Sequence, residues 1–538
     1  MFIIRFLLLI SIFLVIFIKT KRSLHMLQQN LYNENNRYVK WIFKNIKQLL
    51  NLDFIVSIIC LIGILILSNL EKITIVAYVG IIIINFLFFI DYRKKIRQDQ
   101  NKKPLVITKR VKRLICTFSI IYLIPIIQFI NAQNNIKLGW IILLIISIMI
   151  VLNNFVVLIA NIINYPVERI VYHYYKFKAQ KKLKNMPNLK VIGITGSYGK
   201  TSCKNILNDI LNIKYNALKT PRNLNTHYGL IMTINNDMDK FCEVFIAEMG
   251  AYVRGEIKEL CNLVKPKYGI LTTIGTAHLE SFGSEEDIIK AKFELIESLP
   301  SDGFAILNGD DPKQVNYELK NNVKVIWTGI KNENVDVKAL DIKCSNKGTS
   351  FEVKFPGDDK KYKFETKLLG DHNVYNILSA IACGYELGIS IEELQASVKL
   401  VKPVEHRLQL KRIGNFYQID DAYNSNPTGA HNACKILKMM PGLKVVVTPG
   451  MIELGDKEEY YNKEFGKQIA DVADYVILIG EKKTKPIYEG LISRNFDKDK
   501  IIVYNDVRKS YTFINDLAMN HNDVYALFEN DLPDTYNE

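Results

Sequence analysis

Residues Val191–Ser202 read V-I-G-I-T-G-S-Y-G-K-T-S, and this stretch decides the fold. Lys190-Val191-Ile192-Gly193-Ile194 is an apolar run with the length and branching of a buried strand. Thr195-Gly196-Ser197-Tyr198-Gly199 follows as a turn, and Lys200-Thr201-Ser202 opens a helix expected to run to about Leu211. Glycines let such a backbone curl so that its N–H groups point inward at phosphate oxygens. The helix N-terminus adds partial positive charge, Lys200 can reach the β- and γ-phosphates, and Thr201 can ligate Mg²⁺. Thr195, Gly196, Ser197, Gly199, Lys200, Thr201 and Ser202 are therefore the candidate nucleotide-binding residues. The fit to G-x-x-x-x-G-K-[ST] is imperfect: Ile194 stands where the first glycine belongs, and Gly193 comes one residue early.

Working outward, the 538 residues suffice for about three domains. The 49% hydrophobic content is unevenly spread and crowds into the first third. A net charge of +15 would suit a nucleic-acid binder, but many Lys and Arg flank hydrophobic segments, where they set topology. No Arg-rich run with interleaved aromatics points to RNA or DNA, so no nucleic-acid partner is expected. Eight cysteines are scattered without a C-x-x-C, which excludes a zinc ribbon and fits a reducing compartment. Cys203, beside the glycine turn, reads as a helix packing residue.

Five hydrophobic segments stand out: about Phe2–Ile18, Phe54–Leu70, Ile73–Ile90, Leu114–Ile130 and Leu138–Ile163. Each approaches the length that a helix needs to cross a bilayer. The first lacks a small-residue cleavage site and is followed by Lys19, Lys21 and Arg22, so it reads as an anchor. Basic clusters lie at Lys19–Lys47, at Arg93–Arg113 and after Arg169, while Glu71-Lys72 and Asn131–Lys137 are nearly neutral. Cytoplasmic loops carry the excess of Lys and Arg. The expectation is a multi-pass protein of the cytoplasmic membrane with everything after Tyr165 in the cytoplasm. Asn153, Asn154 and Asn161 in the fifth segment make either interhelical hydrogen bonds or a groove for a lipid substrate.

After the basic link Lys176–Asn188, strand-like runs alternate with helical patterns, which argues for an α/β domain with a mainly parallel sheet. Candidate strands are Lys190–Ile194, Val244–Ala247, Tyr268–Thr272 and Phe304–Leu307. Catalytic groups in such sheets sit just past the strands' carboxyl ends. Glu248, His278 and Asn308-Gly309-Asp310-Asp311 fall there. Pro403 marks a linker, and Val445–Val447, Tyr475–Ile479 and Lys500–Val503 suggest a small Rossmann-like domain. The expected division is a helical membrane domain over 1–185, an ATP-binding central domain over 186–401 and a C-terminal domain over 402–538.

Further motifs follow the glycine turn in order: E-M-G-A-Y-V-R-G-E-I from Glu248, T-I-G-T-A-H-L-E-S-F-G-S from Thr273, A-K-F-E from Ala291, L-N-G-D-D-P from Leu307, G-D-H-N-V-Y-N from Gly370, and D-D-A-Y-N-S-N-P from Asp420. Together they closely resemble the Mur ligase family of ATP-dependent amide-forming enzymes, nearest its D-alanyl-D-alanine-adding branch, over about residues 186–538. The resemblance implies ATP and Mg²⁺ as cofactors. It places Lys200 and Thr201 on the phosphates and a first Mg²⁺, with Glu248 and His278 on a second. Lys292 matches a lysine that the family carries as a carbamate; on the residues alone it would be an exposed helix residue. His372, Asn373 and Asn376, at the start of a helix expected over Asn376–Leu387, match positions near the adenine. His372 by itself would read as a capping or packing residue. Arg407 matches an arginine that reaches ATP phosphate, though by itself it reads as a solvated surface group, and Asp421 matches a ribose contact. The implied catalytic set is Lys200, Glu248, His278, Lys292 and Arg407, and the metal set is Thr201, Glu248 and His278.

Three departures bear on substrates. Thr226 follows Asn225 where the branch shows a second asparagine. Pro449-Gly450 stands where G-D-M-x-E-L-G has its glycine and aspartate, and Phe528-Glu529-Asn530-Asp531-Leu532-Pro533 lacks the branch's K-G-S-R-like stretch. The hydrophobic segments stand where typical members carry a soluble domain for the nucleotide-sugar end of the substrate. The expected activity is ligation of a carboxylate substrate, lipid-linked or handled at the inner membrane face, to an amino acid or dipeptide through an acyl phosphate. Rival readings are a poly-amino-acid (poly-γ-glutamate-like) synthetase and an ATP-driven transporter.

Overall fold

The computed structural model describes residues 2–46, 62, 71–98, 104–275, 279–422, 425–452 and 454–531. The chain divides into two compact units, Met1–Tyr174 and Tyr175–Leu532.

The first unit is built from the helices α1 (Phe2–Gln29), α2 (Arg37–Lys44), α3 (Glu71–Gln98), α4 (Lys109–Asn131), α5 (Ile136–Val151) and the start of α6 (Asn153–Lys184). Among the described residues, four helices are long and apolar enough to cross a membrane: Phe2–Gln29, Thr74–Lys94, Lys109–Asn134 and Asn153–Lys184. The expected segment Phe54–Leu70 lies outside the described residues. The single segment expected over Leu138–Ile163 is corrected: the helix is interrupted at Leu152, whose φ of −87° and ψ of 23° close α5. The polar pair that follows explains the break. The Asn153 amide donates to Ser23 Oγ at 2.8 Å and accepts from Tyr122 at 3.2 Å, while Asn154 accepts from Tyr38 at 3.0 Å. Asn161 donates to Tyr32 O at 3.0 Å. These asparagines bridge helices, where an unpaired amide would be costly to bury. Arg113 grips Glu168 through two bonds of 2.7 and 2.9 Å.

The second unit holds two sheets. The larger contains β1 (Lys190–Thr195), β2 (Ala217–Lys219), β3 (Val244–Glu248), β4 (Tyr268–Leu271), β5 (Phe304–Asn308), β6 (Lys324–Gly329), β7 (Val337–Ser345), β8 (Gly348–Lys354) and β9 (Lys361–Thr366). Their order is β2-β3-β1-β4-β5-β6-β7-β8-β9. Pairing is parallel as far as β7, and β7, β8 and β9 form an antiparallel extension beyond the strands expected from sequence. β1 and β3 are buried on both faces, as covered parallel strands must be. The helices of this half are α7 (Lys200–Leu211), α8 (His227–Asn236), α9 (Glu256–Val264), α10 (Glu285–Glu297), α11 (Asp371–Glu386) and α12 (Ile391–Leu400), besides single turns. α7 and α11 close one face of the sheet over Ile192, Ile194, Ile206, Ile210, Val374 and Ile381.

The smaller sheet has the order β10-β11-β15-β12-β13-β14. Its strands are β10 (Gln409–Ile413), β11 (Phe416–Asp421), β12 (Leu443–Thr448), β13 (Tyr475–Ile479), β14 (Ile501–Tyr504) and β15 (Val524–Glu529). All pairs but β10–β11 are parallel. The helices are α13 (Pro427–Met439), α14 (Glu458–Ala470), α15 (Glu481–Ser493) and α16 (Arg508–Asn520). The α/β character, the parallel sheets and the apolar N-terminal helices match the fold class expected from sequence. One boundary moves: α11 starts at Asp371 rather than Asn376, because Gly370 at φ +86° turns the chain into the helix and Asp371 sits favourably in its first turn.

Candidate functional site

β1 pairs with β3 on one side and β4 on the other, so the winding of the sheet reverses at its carboxyl end. Sheets of this kind bind ligands in the crevice at that point. Two glycines shape the loop. Gly196 has φ +151°, and a Cβ there would lie 2.0 Å from Thr272 Oγ1. Gly199, at φ +83°, precedes α7, and its Cβ would lie 2.9 Å from Asn376 Oδ1. Neither place admits a side chain. The turn is tied to the end of β4 by Ser197 N–H donating to Thr273 O at 2.9 Å and by Thr272 Oγ1 donating to Tyr198 O at 2.6 Å. Thr195 Oγ1 donates to Met249 O at 2.9 Å and Ser197 Oγ to Gly275 O at 3.0 Å, so these two hydroxyls hold the loop's shape. Lys200, Thr201 and Ser202 form the first turn of α7, whose N–H groups have no partner within the helix.

Lys200 Nζ donates to Gly196 O at 2.6 Å and to Ser197 O at 3.0 Å, curled onto its own loop. Burial lowers its ammonium to about 8; Glu248 opposes the shift and Arg407 adds to it. A buried cation satisfied only by carbonyls gains most from an anion. Glu248 ends β3 and is buried. Its Oε1 accepts from Thr201 Oγ1 and from Asn225 Nδ2, each at 3.1 Å. Its Oε2 lies 2.8 Å from Lys204 Nζ, which also donates to Arg222 O. Thr201 and Glu248, expected as metal ligands, are thus brought together. Among the described residues no group of three His, Cys, Asp or Glu gathers around a point, so the donors here are one hydroxyl and one carboxylate. Both are hard oxygens of the kind Mg²⁺ accepts. His278 lies outside the described residues.

Lys292, on α10, is only 2% exposed, which corrects its reading as a surface residue. Its Nζ lies 5.4 Å from the Phe282 ring centroid. Burial, reinforced by Lys200, lowers its ammonium to about 7, so much of it is neutral amine at physiological pH. Cys203 is the opposite case: burial pushes its thiol up to about 12, in keeping with packing rather than attack. Of the residues expected near adenine, Asn376 lies against Gly199, and Asn373 Nδ2 donates to Leu369 O at 2.9 Å. Burial lowers the His372 imidazole to about 4, and its Nδ1 has no hydrogen-bond partner among the described residues. Asp421, at the end of β11, accepts from Leu408 N–H at 3.3 Å. Burial raises its carboxyl to about 6 against the pull of Arg407.

Sequence reasoning passed over Lys204 and Glu529. Lys204 had a signal, since a lysine beside Cys203, Ile206 and Leu207 on the buried face of α7 needs a buried partner. Thr226 also gains a reason: its hydroxyl accepts from Gly229 N–H at 3.4 Å and caps α8.

A glycine turn at the switch point of a parallel sheet, a lysine waiting for an anion and a paired hydroxyl and carboxylate define an α/β enzyme that uses a nucleoside triphosphate. Comparison narrows the class. Residues 194–384 match the family described as the Mur ligase middle domain, and residues 406–528 match the Mur ligase glutamate ligase domain. The UDP-N-acetylmuramoyl-tripeptide–D-alanyl-D-alanine ligase of Bacillus subtilis is 36% identical over 322 residues, 59% of this chain and 68% of that protein. The Escherichia coli protein of the same name is 32% identical over 296 residues, covering 54% of this chain and 65% of that one. The crystal structure of MurF from Acinetobacter baumannii aligns with a TM-score of 0.60 at 26% identity, covering 67% of this chain and 77% of that one. MurF ligase from Thermotoga maritima, in complex with ADP, aligns with a TM-score of 0.59 at 27% identity, covering 68% and 81%. The chain belongs to the Mur ligase family, whose members are ATP-dependent, ADP-forming ligases. It spans about two thirds of the length of the curated relatives named here, at 68% and 65%.

Proposed function

We propose that this chain is a membrane-anchored ligase that uses ATP to join a carboxylate substrate to an amino acid or peptide amine in the synthesis of a cell-envelope precursor. The observation that carries the reading is the glycine cradle with Lys200 at its mouth, in the same compact unit as Arg407 and Asp421.

In the first step a substrate carboxylate oxygen attacks the γ-phosphorus of ATP, giving an acyl phosphate and ADP. Lys200 leaves its loop carbonyls and follows the phosphoryl charge through the transition state. Thr201 and Glu248, with His278, would hold Mg²⁺, which when bound neutralises phosphate charge. Arg407 and Asp421 take the phosphates and ribose from the C-terminal side, and closure keeps water from the acyl phosphate. In the second step the amine attacks the acyl carbon, loses a proton and expels phosphate, leaving the amide. Lys292, held partly neutral by burial, is able to add CO₂ and become a carbamate, the anionic form in which it would assist the metal site.

The relatives' name suggests a UDP-linked muramoyl tripeptide and D-alanyl-D-alanine as first candidates. The apolar helices favour an acceptor that is lipid-linked or handled at the inner membrane face, with residues 1–185 in the bilayer and 186–401 and 402–538 in the cytoplasm. The test is phosphate release by the detergent-solubilised chain, offered soluble UDP-linked and lipid-linked acceptors with a panel of amino acids and dipeptides. Amine-dependent ATP turnover with preference for the lipid-linked acceptor supports the reading. Preference for the soluble acceptor removes the lipid-linked part, and amine-independent turnover removes the ligase.

A further inference from the structure

The carboxyl ends of β11 and β15 set two acids side by side, because Asp421 and Glu529 are register partners on adjacent parallel strands. Such partners project to the same face of a sheet, with backbones about 5 Å apart. Glu529 is fully buried. Ser425 Oγ donates to its Oε1 at 2.5 Å, while its Oε2 receives no donor among the described residues. Asn530 locks the corner: its N–H donates to Asp421 O at 3.2 Å, its Oδ1 accepts from Ser425 N–H at 3.2 Å, and its Nδ2 donates to Gly450 O at 2.5 Å. These bonds tie together the backbone that follows β11, β12 and β15, beside the two carboxyl groups.

Two ionised carboxylates cannot share a buried site at low cost, so one of them keeps a proton. The charges around the pair decide which. Arg407 acts on both and is the largest attraction that Asp421 feels. Asp420 is already answered, by Lys411 at 2.8 Å and His406 at 2.9 Å. Cys434, on α13, also faces Glu529 and stays a neutral thiol. Asp421 takes the Leu408 N–H and the Arg407 charge, whereas Glu529 Oε2 takes no donor among the described residues, so the geometry places the proton on Oε2; burial and the neighbouring Asp421 charge raise the Glu529 carboxyl well above its ordinary range.

We propose that Glu529 is a positioning residue for nucleotide binding, whose Oε2–H donates to the Asp421 carboxylate and fixes it beside Arg407 in the orientation that takes the ribose hydroxyls. This rests on the reading above, in which Arg407 and Asp421 close on ATP. Glu529 itself touches no substrate. It leaves a single negative charge on the pair and sets where that charge points.

The test is binding of Mg²⁺ and a fluorescent N-methylanthraniloyl ATP to the full chain in detergent at pH 7. Glu529→Gln keeps an N–H for Asp421 but carries no charge. It should bind within about twofold of wild type, whereas Glu529→Leu, which offers no donor, should bind about tenfold more weakly. Wild-type affinity in a folded Glu529→Leu overturns the proposal, as does a Glu529→Gln that binds as weakly as Glu529→Leu. If Glu529→Leu melts, Glu529→Gln still decides, because a tenfold loss in a folded variant that keeps the donor overturns the proposal. Absence of nucleotide binding in wild type sinks the ligase reading, and this inference with it.

Discussion

The two sheet ends of the second unit carry opposite surpluses. Around the glycine turn, Lys200 and Lys204 are drawn in against Glu248, while Lys292 is buried nearby, repelled by Lys200 and attracted by Glu256 and Glu294. At the ends of β11 and β15, Asp420, Asp421 and Glu529 are gathered, and the Asp421–Glu529 pair meets Arg407. Like charges taken out of water move toward neutrality, so Lys200 and Lys292 lose protons more readily and the Asp421–Glu529 pair keeps one. The first end is short of an anion, and the second stores a proton. On the proposed function, the first end would take a triphosphate and the second a sugar's hydroxyls.

The comparison breaks first at Lys200. If the lysine end is built around an arriving anion, Lys200→Ala should cut amide formation by about a thousandfold while leaving insertion into membranes unchanged. Phosphate release with ATP and the preferred amine measures it, and near-normal turnover would mean that the lysine only braces its loop. The next effect is on stability. Lys204 and Glu248 are each 1% exposed at the side chain, so Lys204→Met strands a buried carboxylate and should destabilise the chain by about 3–5 kcal/mol in urea unfolding. Adding Glu248→Leu should recover most of that loss without restoring turnover. A double variant as unstable as the single one would show that Lys204 acts through Arg222 O alone.

Much of this site was legible in the chain. The curl at Gly196 and Gly199 follows from glycine spacing between a strand and a helix, and the ends of β1, β3, β4 and β5 fall within a residue of their expected places. The placement of Thr201 beside Glu248 follows from two motifs on neighbouring strands. Burial of Lys292 was not legible, because its environment comes from the Phe282 turn and from Lys200, remote in sequence. Nor was the pairing of Asp421 with Glu529, since β15 enters the sheet between β11 and β12, and nothing local announces a neighbour more than a hundred residues away. The break at Leu152 was not legible, although Asn153 and Asn154 interrupt the apolar run there, because their partners Ser23, Tyr122 and Tyr38 lie far away in sequence.

The two ends should also titrate in opposite directions. Lys292 has a folded pKa of about 7 against 10.5 for an unperturbed lysine. Between those values the unfolded chain binds more protons, so stability rises with pH, by up to about 1.4 kcal/mol per unit from this lysine. The full penalty of burying its charge is felt below pH 7. Lys292→Met should flatten the rise, and a slope unchanged by that substitution would place Lys292 in water.

The smallest effect lies at the acid end. Asp421 titrates at about 6 in the folded chain against 3.8 ordinarily. In that window the folded chain holds the extra proton, so stability falls as pH climbs from about 4 to about 6. Asp421→Asn should reduce the fall, leaving the part that burial of Glu529 contributes, and leave the Lys292 limb untouched. The window is narrower than that of the lysine, and the Arg407 charge works against it, so the slope should be the shallower of the two. Urea unfolding at half-unit pH steps resolves both limbs. A single substitution that flattened both would mean that the two ends share one protonation equilibrium, and the contrast between them would have to be given up.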